Sequence, residues 1–96
     1  MTIGSRVGAI SHADKQTVYL YGYGIYCGDE VPPFGNLHKL GWKNPMLRLD
    51  SGDVVWGHMC WWGSEEVIRK SIGTRKVVIV PVPTESTEGQ TNDADA

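Results

Sequence analysis

The stretch Leu47–Gly63, LRLDSGDVVWGHMCWWG, decides the fold of this chain, because it joins two apolar runs through a turn and holds three of the four tryptophans. Its polar centre, 50–53, favours a turn, since Asp and Ser hydrogen-bond to nearby backbone and Gly tolerates positive φ. A short polar connection of this kind is typical of an antiparallel hairpin. We therefore expect a strand, a turn, and a second strand over 54–62.

The predicted strand 54–62 is apolar on both faces, because side chains alternate along a strand. A strand of this kind is central, and both of its faces must be covered. We expect the tryptophans to pack in the core, and the alternative is that one of them lines a binding surface. The two alternating sets are Val54, Trp56, His58, Cys60 and Trp62, and Val55, Met59 and Trp61.

Two further strands are predicted before this stretch, a short one at Arg6–Ser11 and a long one at Gln16–Cys27. The long one, QTVYLYGYGIYC, has the β-branched and aromatic content typical of strands. Gly22 and Gly24 in its interior indicate a bend or bulge and hence a strongly curved sheet. Regular alternation predicts a tyrosine face, either packed on a neighbouring strand or forming a contact surface, with Tyr19, Tyr21 and Tyr23.

The segment Asp29–Pro45, DEVPPFGNLHKLGWKNP, lacks a period and is rich in Pro and Gly, so an irregular loop is predicted, with one helical turn at Asn36–Leu40. Long loops in compact domains are often functional. This loop carries five large apolar residues, so we expect it to fold back across the sheet as a core cap or as a lid over a pocket. These residues are Val31, Phe34, Leu37, Leu40 and Trp42.

A helix is predicted at Ser64–Ile72, SEEVIRKSI. Ser64 is suited to the N-cap position, acidic residues in the first turn favour the helix dipole, and Gly73 is suited to end the helix. The run KVVIVPV at 76–82 predicts a closing strand, buried because Val77–Val80 is continuously apolar.

These elements predict a mainly β protein with one short helix. We expect a five-stranded, mostly antiparallel, strongly curved sheet or an SH3-like small barrel, and the alternative is a two-layer α+β arrangement. The domain is predicted to span 1–83. The segment 84–96 is polar and acidic, which predicts a disordered tail.

The order strand, long strand, irregular loop, hairpin, short helix and closing strand resembles small SH3-like barrel domains. The pair Trp61-Trp62 also resembles the paired tryptophans of SH3 domains. Because the pair here precedes a helix and no acidic loop matches, the resemblance implies a fold and not the binding of proline-rich peptides. In its general type, and through no particular motif, the chain also resembles short proteins of bacterial mobile elements, such as phages and integron cassettes. This resemblance implies no activity.

Charge and composition exclude several classes of protein. The formal charge of the chain is −2. The segment 84–96 contributes −4, so the small charge of residues 1–83 is positive. A charge this small does not suggest a nucleic-acid footprint. Two cysteines do not make a disulfide framework. We see no signal peptide at the N-terminus and no membrane span, so a cytoplasmic protein with reduced thiols is expected.

No residue pattern defines a reaction. His58 and Cys60 lie two apart, and Cys27 and His38 could join them, but the close ligand pairs typical of zinc sites are missing. A nucleophilic thiol needs a positioned base, and no local signature supplies one. We therefore assign no catalytic residue, no metal and no cofactor, and we favour a protein that is not an enzyme.

We predict a binding or interaction module that presents an aromatic-rich surface and self-associates as a homodimer or binds another protein. The first alternative is a pocket for a small apolar molecule between loop and sheet, with or without catalysis. The second, less favoured, is nucleic-acid binding through Arg69, Lys70, Arg75 and Lys76. The candidate binding residues are Tyr19, Tyr21, Tyr23, Phe34, His38, Trp42, His58, Trp61 and Trp62.

Overall fold

The computed structural model describes residues 1–83, and the predicted tail at 84–96 lies outside this range. The described chain is mainly β, as predicted. Its elements are β1 (Arg6–Ala13), β2 (Thr17–Glu30), α1 (Gly35–Leu40), β3 (Asn44–Leu49), β4 (Val54–Trp56), a 3-10 turn (Gly57–Met59), β5 (Trp61–Ser64), α2 (Glu65–Ile72) and β6 (Lys76–Ile79).

The strands form one open sheet in the order β4-β3-β2-β1-β5, with antiparallel neighbours throughout, and β6 pairs with β2 in parallel. Within residues 1–83 the sheet does not close into a barrel, which fits the predicted curved sheet. The parallel strand was not predicted. It arises because α2 returns the chain to the start of β2, where the Lys76 N–H donates to the Gln16 carbonyl at 2.9 Å.

The long strand β2 is the centre of the sheet. One of its sides pairs with β1. The other side pairs with β6 over Thr17–Leu20 and with β3 over Gly24–Glu30. The hairpin of β3 and β4 forms as predicted, but it lies at one end of the sheet, and the organising strand is therefore β2.

A β-bulge near Gly22 changes which face each side chain of β2 occupies. Ala9 pairs with Gly22 and Ile10 pairs with Leu20, so Tyr21 is an extra residue opposite β1. Gly22 has a φ of 145°, which its missing side chain permits. Because a bulge interrupts the alternation, the prediction of one continuous tyrosine face is wrong.

Two hydrophobic clusters lie on opposite faces of the sheet. The adjacent residues Ala9 and Ile10 belong to different clusters, as alternation along β1 requires. Tyr21 packs against the first cluster and Tyr23 against the second. The first cluster comprises Val7, Ala9, Tyr26, Leu47, Leu49 and Val55, and the second comprises Ile10, Val18, Leu20, Ile68 and Ile72.

The predicted strand over 54–62 is wrong, because the chain turns at Gly57–Met59 between β4 and β5. The side-chain oxygen of Asn44 accepts the backbone N–H of His58 at 2.8 Å. A Cβ built on Gly57 would lie 2.8 Å from the Trp62 indole nitrogen, so only glycine fits this turn without a shift. The alternating faces predicted for 54–62 are therefore not formed.

Both helical predictions are confirmed. The hydroxyl oxygen of Ser64 accepts the Val67 N–H at 3.2 Å and caps α2. Ile68 and Ile72 are the buried residues of α2. The short α1 covers the predicted helical turn in the loop.

The closing strand β6 is more exposed than predicted, since Val77 is 42% and Ile79 is 66% exposed. The reason is that α2 packs against β1 and β5. In the described part of the chain, the flank of the sheet beside β6 therefore remains exposed.

A network of charged side chains joins β1, the β3–β4 turn and α2. The Arg6 guanidinium donates to both carboxylate oxygens of Asp50 at 2.8 Å and to Glu65 at 3.0 Å. Glu65 also accepts from Arg69 at 2.8 Å. The bond from Arg6 lowers the pKa of Asp50, and the bonds from Arg69 and then Arg6 lower the pKa of Glu65.

Replacing Gly24 by alanine should destabilise the fold severely. Gly24 is buried, and a Cβ there would overlap the carbonyl oxygen of Arg48 and lie 2.6 Å from the Leu49 Cα. We expect Gly24→Ala to lower the free energy of unfolding by about 3 kcal/mol, the upper end of the usual cost of overpacking, since rigid backbone must move. Urea denaturation followed by tryptophan fluorescence measures the change.

The matched control is Gly63→Ala in β5, where a Cβ would meet only Val67, at 4.0 Å. We expect its unfolding free energy to stay within about 1 kcal/mol of the parent protein. An unchanged urea midpoint for Gly24→Ala would contradict the close approach of β2 and β3.

Acid should weaken the Arg6 network. The pKa values of Asp50 and Glu65 are lower in the folded chain than their usual values of 3.8 and 4.5. Their contribution to stability is therefore present above about pH 4.5 and lost as the pH falls through the folded pKa values. We expect Arg6→Gln to reduce the loss of stability between pH 6 and pH 3, measured by urea denaturation at each pH. Lys43→Gln, at an exposed loop position, should retain the parent's pH dependence, and equal slopes for all three proteins would contradict the network.

Candidate ligand-binding cleft

An open cleft of about 310 Å³ lies between the segment ahead of α1, the β3–β4 hairpin and the chain that follows β6. This volume is at the lower end of the range of about 300–1,000 Å³ found for small-molecule sites. The lining is mostly apolar. The lining residues are Pro33, Phe34, Met46, Asp53, Val54, Trp56, Met59, Val82 and Pro83.

Local packing fixes the wall that carries Phe34. The neighbouring residue Pro32 is fully buried. Its carbonyl oxygen lies 3.1 Å from the His38 Nδ1, which ties α1 back to the segment before it. Phe34 is half-buried and lines the cleft. The loop is therefore a partial cap, because Leu40 and Trp42 remain exposed instead of crossing the sheet as expected.

The 3-10 turn and the hairpin form the opposite wall. Met59, in the turn, packs against the first cluster and also lines the cleft. Trp56 is buried in the core and contributes to the lining. Val82, in the chain after β6, also packs on the first cluster and lines the cleft. This part of the chain therefore closes one side of the cleft.

Asp53 supplies the one charged side chain among the lining residues. Its carboxylate accepts a bond from the Ser51 hydroxyl at 3.3 Å, and its backbone carbonyl accepts the Leu49 N–H at 2.8 Å. The backbone of the turn is therefore held in place while the carboxylate remains exposed to solvent. An apolar lining with one negative group at the rim can bind apolar surface and favours positive charge beside it.

The structure separates the predicted tyrosine residues. Tyr19 stacks on His12 with ring centroids 4.3 Å apart. Tyr21 packs against the first cluster, whereas Tyr23 lies under the Arg69 guanidinium, 4.3 Å from its ring centroid. The three rings do not form one surface.

The other predicted site residues are also dispersed. Phe34 alone among the nine lines the cleft. His38 lies beside the Pro32 carbonyl, and the His58 Nδ1 lies 3.2 Å from the Asn44 side-chain oxygen. Trp62 is half-buried and stacks on Tyr26 at 5.7 Å. The remaining two, Trp42 and Trp61, are 60% and 55% exposed.

Sequence reasoning missed most of the cleft. Asp53 was predicted to lie in a turn and Met59 in the interior of a strand, and Met46 received no prediction. The only local signal was the apolar loop itself, which led to Phe34. The opposite wall exists because the chain turns at Gly57, and that turn depends on a bond from the His58 N–H to Asn44, which lies fourteen residues earlier in the chain.

The thiols and histidines do not assemble a reactive centre. Burial raises the pKa of Cys60 to about 11, and its thiol donates to the Trp56 carbonyl at 3.6 Å. At neutral pH this group is therefore almost entirely protonated and a poor nucleophile. Among residues 1–83, no group of three or more His, Cys, Asp or Glu side chains is arranged to hold a metal ion.

Three of the four basic residues predicted for nucleic-acid binding, Arg69, Lys70 and Arg75, have side-chain partners within the protein. Arg75 donates to the carbonyl oxygens of Asp14, Ser71 and Ile72 at 2.6–3.2 Å. Arg69 and Lys70 pair with glutamates one helical turn earlier, Glu65 and Glu66. The two glutamates offset the charges of Arg69 and Lys70, and the three carbonyl bonds hold the Arg75 guanidinium against the protein, so the segment offers fewer cations to a phosphate backbone.

Comparisons of the chain with protein-family models, with curated proteins and with solved structures found no match. In the described part of the chain, neither helix has the length and apolar character needed to span a membrane. The function of this chain is therefore inferred from its cleft and its exposed surface alone.

Proposed function

We propose that the protein is a non-enzymatic binding module and that the apolar cleft is its ligand site. The observation that carries this proposal is the combination of a concave volume of about 310 Å³ with aromatic, thioether and proline lining. Such concave, mostly apolar sites with few polar groups are the usual form of small-ligand sites. The proposal keeps the predicted binding role and moves its centre from the tyrosine strand to the cleft.

The polar groups of the cleft support binding rather than catalysis. Asp53 is the one titratable side chain in the lining. General acid–base catalysis commonly pairs such a group with a second acid, base or nucleophile within hydrogen-bonding reach. Cys60 is protonated at neutral pH and donates to the Trp56 carbonyl.

Both cysteines are free thiols, which suits the reducing cytoplasm that we propose as the location.

A neutral aromatic probe should bind in the cleft. We expect 2-naphthalenemethanol to shift the backbone amide signals of Phe34, Val54 and Met59 in a 1H-15N correlation spectrum of the full chain. Phe34→Ala removes an aromatic wall and should weaken binding about three- to ten-fold, because apolar contact area is lost.

The control for the cleft experiment is Trp42→Ala, which removes a larger and more exposed aromatic side chain outside the lining. We expect it to leave the affinity within two-fold of the parent protein. If the probe does not bind the parent protein, the cleft is not the ligand site. The same conclusion follows if Trp42→Ala lowers the affinity for the probe as much as Phe34→Ala does.

A second proposal is self-association through the edge of the sheet at β5, and a specific observation favours it. β5 is the last strand in the order β4-β3-β2-β1-β5, and Trp61 on it is 55% exposed. Val67 of α2 is also exposed and lies next to Gly63 of β5. An edge strand offers unpaired backbone groups, and two copies can pair about a two-fold axis and cover these apolar side chains.

Light scattering coupled to size exclusion, over a concentration series, tests the dimer. We expect the mass to rise toward twice the monomer value as concentration increases. Trp61→Lys should shift the chain to monomer, since it places a charge on the edge strand. Trp42→Lys, which alters a similarly exposed tryptophan outside β5 and two residues before β3, should retain the dimer. A monomer at every concentration would refute self-association while leaving the cleft proposal intact.

A further inference from the structure

We infer that the cleft selects small apolar molecules that carry an ammonium group, with Asp53 as the residue that sets this preference. The inference rests on the proposed function of the cleft and specifies its ligand class. A cleft of about 310 Å³ has room for one small molecule. We therefore assign the site to a compound such as an aryl-alkyl amine.

The contrast between two aspartates in the same turn supports this assignment. Asp50 receives two charge-assisted bonds from Arg6 at 2.8 Å. From the residues up to position 83, the carboxylate of Asp53, three residues later, receives only the weak bond from the Ser51 hydroxyl at 3.3 Å. The ion pairs within residues 1–83 involve Arg6, Arg69 and Lys70, and none of them includes Asp53. This carboxylate thus has the capacity to accept bonds from a ligand.

The remaining lining favours the same charge. Phe34 and Trp56 are aromatic, and the faces of aromatic rings attract cations. Met46 and Met59 place polarizable thioethers on the wall, and these adapt to ligand shape. Among the lining residues that the structure describes, none is a Lys or Arg that would pair with an anion. A ligand with an apolar ring and an ammonium group therefore matches both the apolar wall and the charged rim.

Three probes with one ring system isolate the effect of charge: 2-naphthylmethylammonium, 2-naphthalenemethanol and 2-naphthoate. Their affinities are measured for the full chain by 1H-15N titration at low ionic strength. We expect the ammonium probe to bind about two- to five-fold more tightly than the alcohol, as for an exposed ion pair. The carboxylate should bind most weakly, and 0.5 M salt should reduce the differences.

Two variants locate the charge that is responsible. Asp53→Asn keeps a turn-forming side chain and should abolish the preference for the ammonium probe while retaining affinity for the alcohol. Asp50→Asn removes an equal charge from the same turn, at the residue that Arg6 engages. We expect it to leave the preference unchanged.

The outcomes distinguish the preference for an ammonium group from the binding of apolar molecules in the cleft. Equal affinities for all three probes would overturn the charge inference and leave the apolar cleft as a binding site. No binding by any probe would overturn both. If the blocked dipeptide acetyl-Phe-Lys-amide binds more tightly than 2-naphthylmethylammonium, the occupant is a segment of a protein and the assignment to a small molecule is wrong.

Discussion

The close backbone approach of β2 and β3 at Gly24 is the constraint on which the rest of the structure depends. No side chain fits there, because a Cβ would overlap the Arg48 carbonyl oxygen. This approach brings β3 against one half of β2 and leaves the other half free for β6. The bulge beside Gly22 then shifts the alternation of β2. Tyr21 and Tyr23, which regular alternation would place on one face, therefore pack against different clusters.

The cleft is a consequence of how the hairpin ends. The chain cannot continue β4 past Trp56, because the backbone N–H of His58 is held by Asn44 and the turn packs against Trp62. The turn brings Met59 to the same cavity as the segment ahead of α1. The wall that carries Met59 and the carboxylate of Asp53 thus come from the β3–β4 hairpin and from the 3-10 turn that follows it. Binding at this site does not require the sheet edge at β5, so the two proposed surfaces can operate independently.

Local signals in the sequence predicted the elements whose causes are local. The turn of the hairpin and the capped helix α2 follow from side chains that bond to nearby backbone. Phe34 was found because its loop is unusually apolar. The break at Gly57, the bulge at Gly22 and the exposure of Ile79 depend on contacts distant in sequence, so periodicity within a short window could not predict them. For the same reason, most of the cleft lining was not predicted.

The bulge in β2 is tested by a nuclear Overhauser spectrum of the tyrosine rings, because it determines which cluster each ring contacts. The account predicts contacts from the Tyr23 ring to a methyl group of Ile68, because both side chains lie within 3.0 Å of the Cβ position of Gly8. It predicts contacts from the Tyr21 ring to methyl groups of the first cluster, such as those of Leu47 or Leu49. Contacts from both rings to the same cluster would contradict the bulge and the fold built on it.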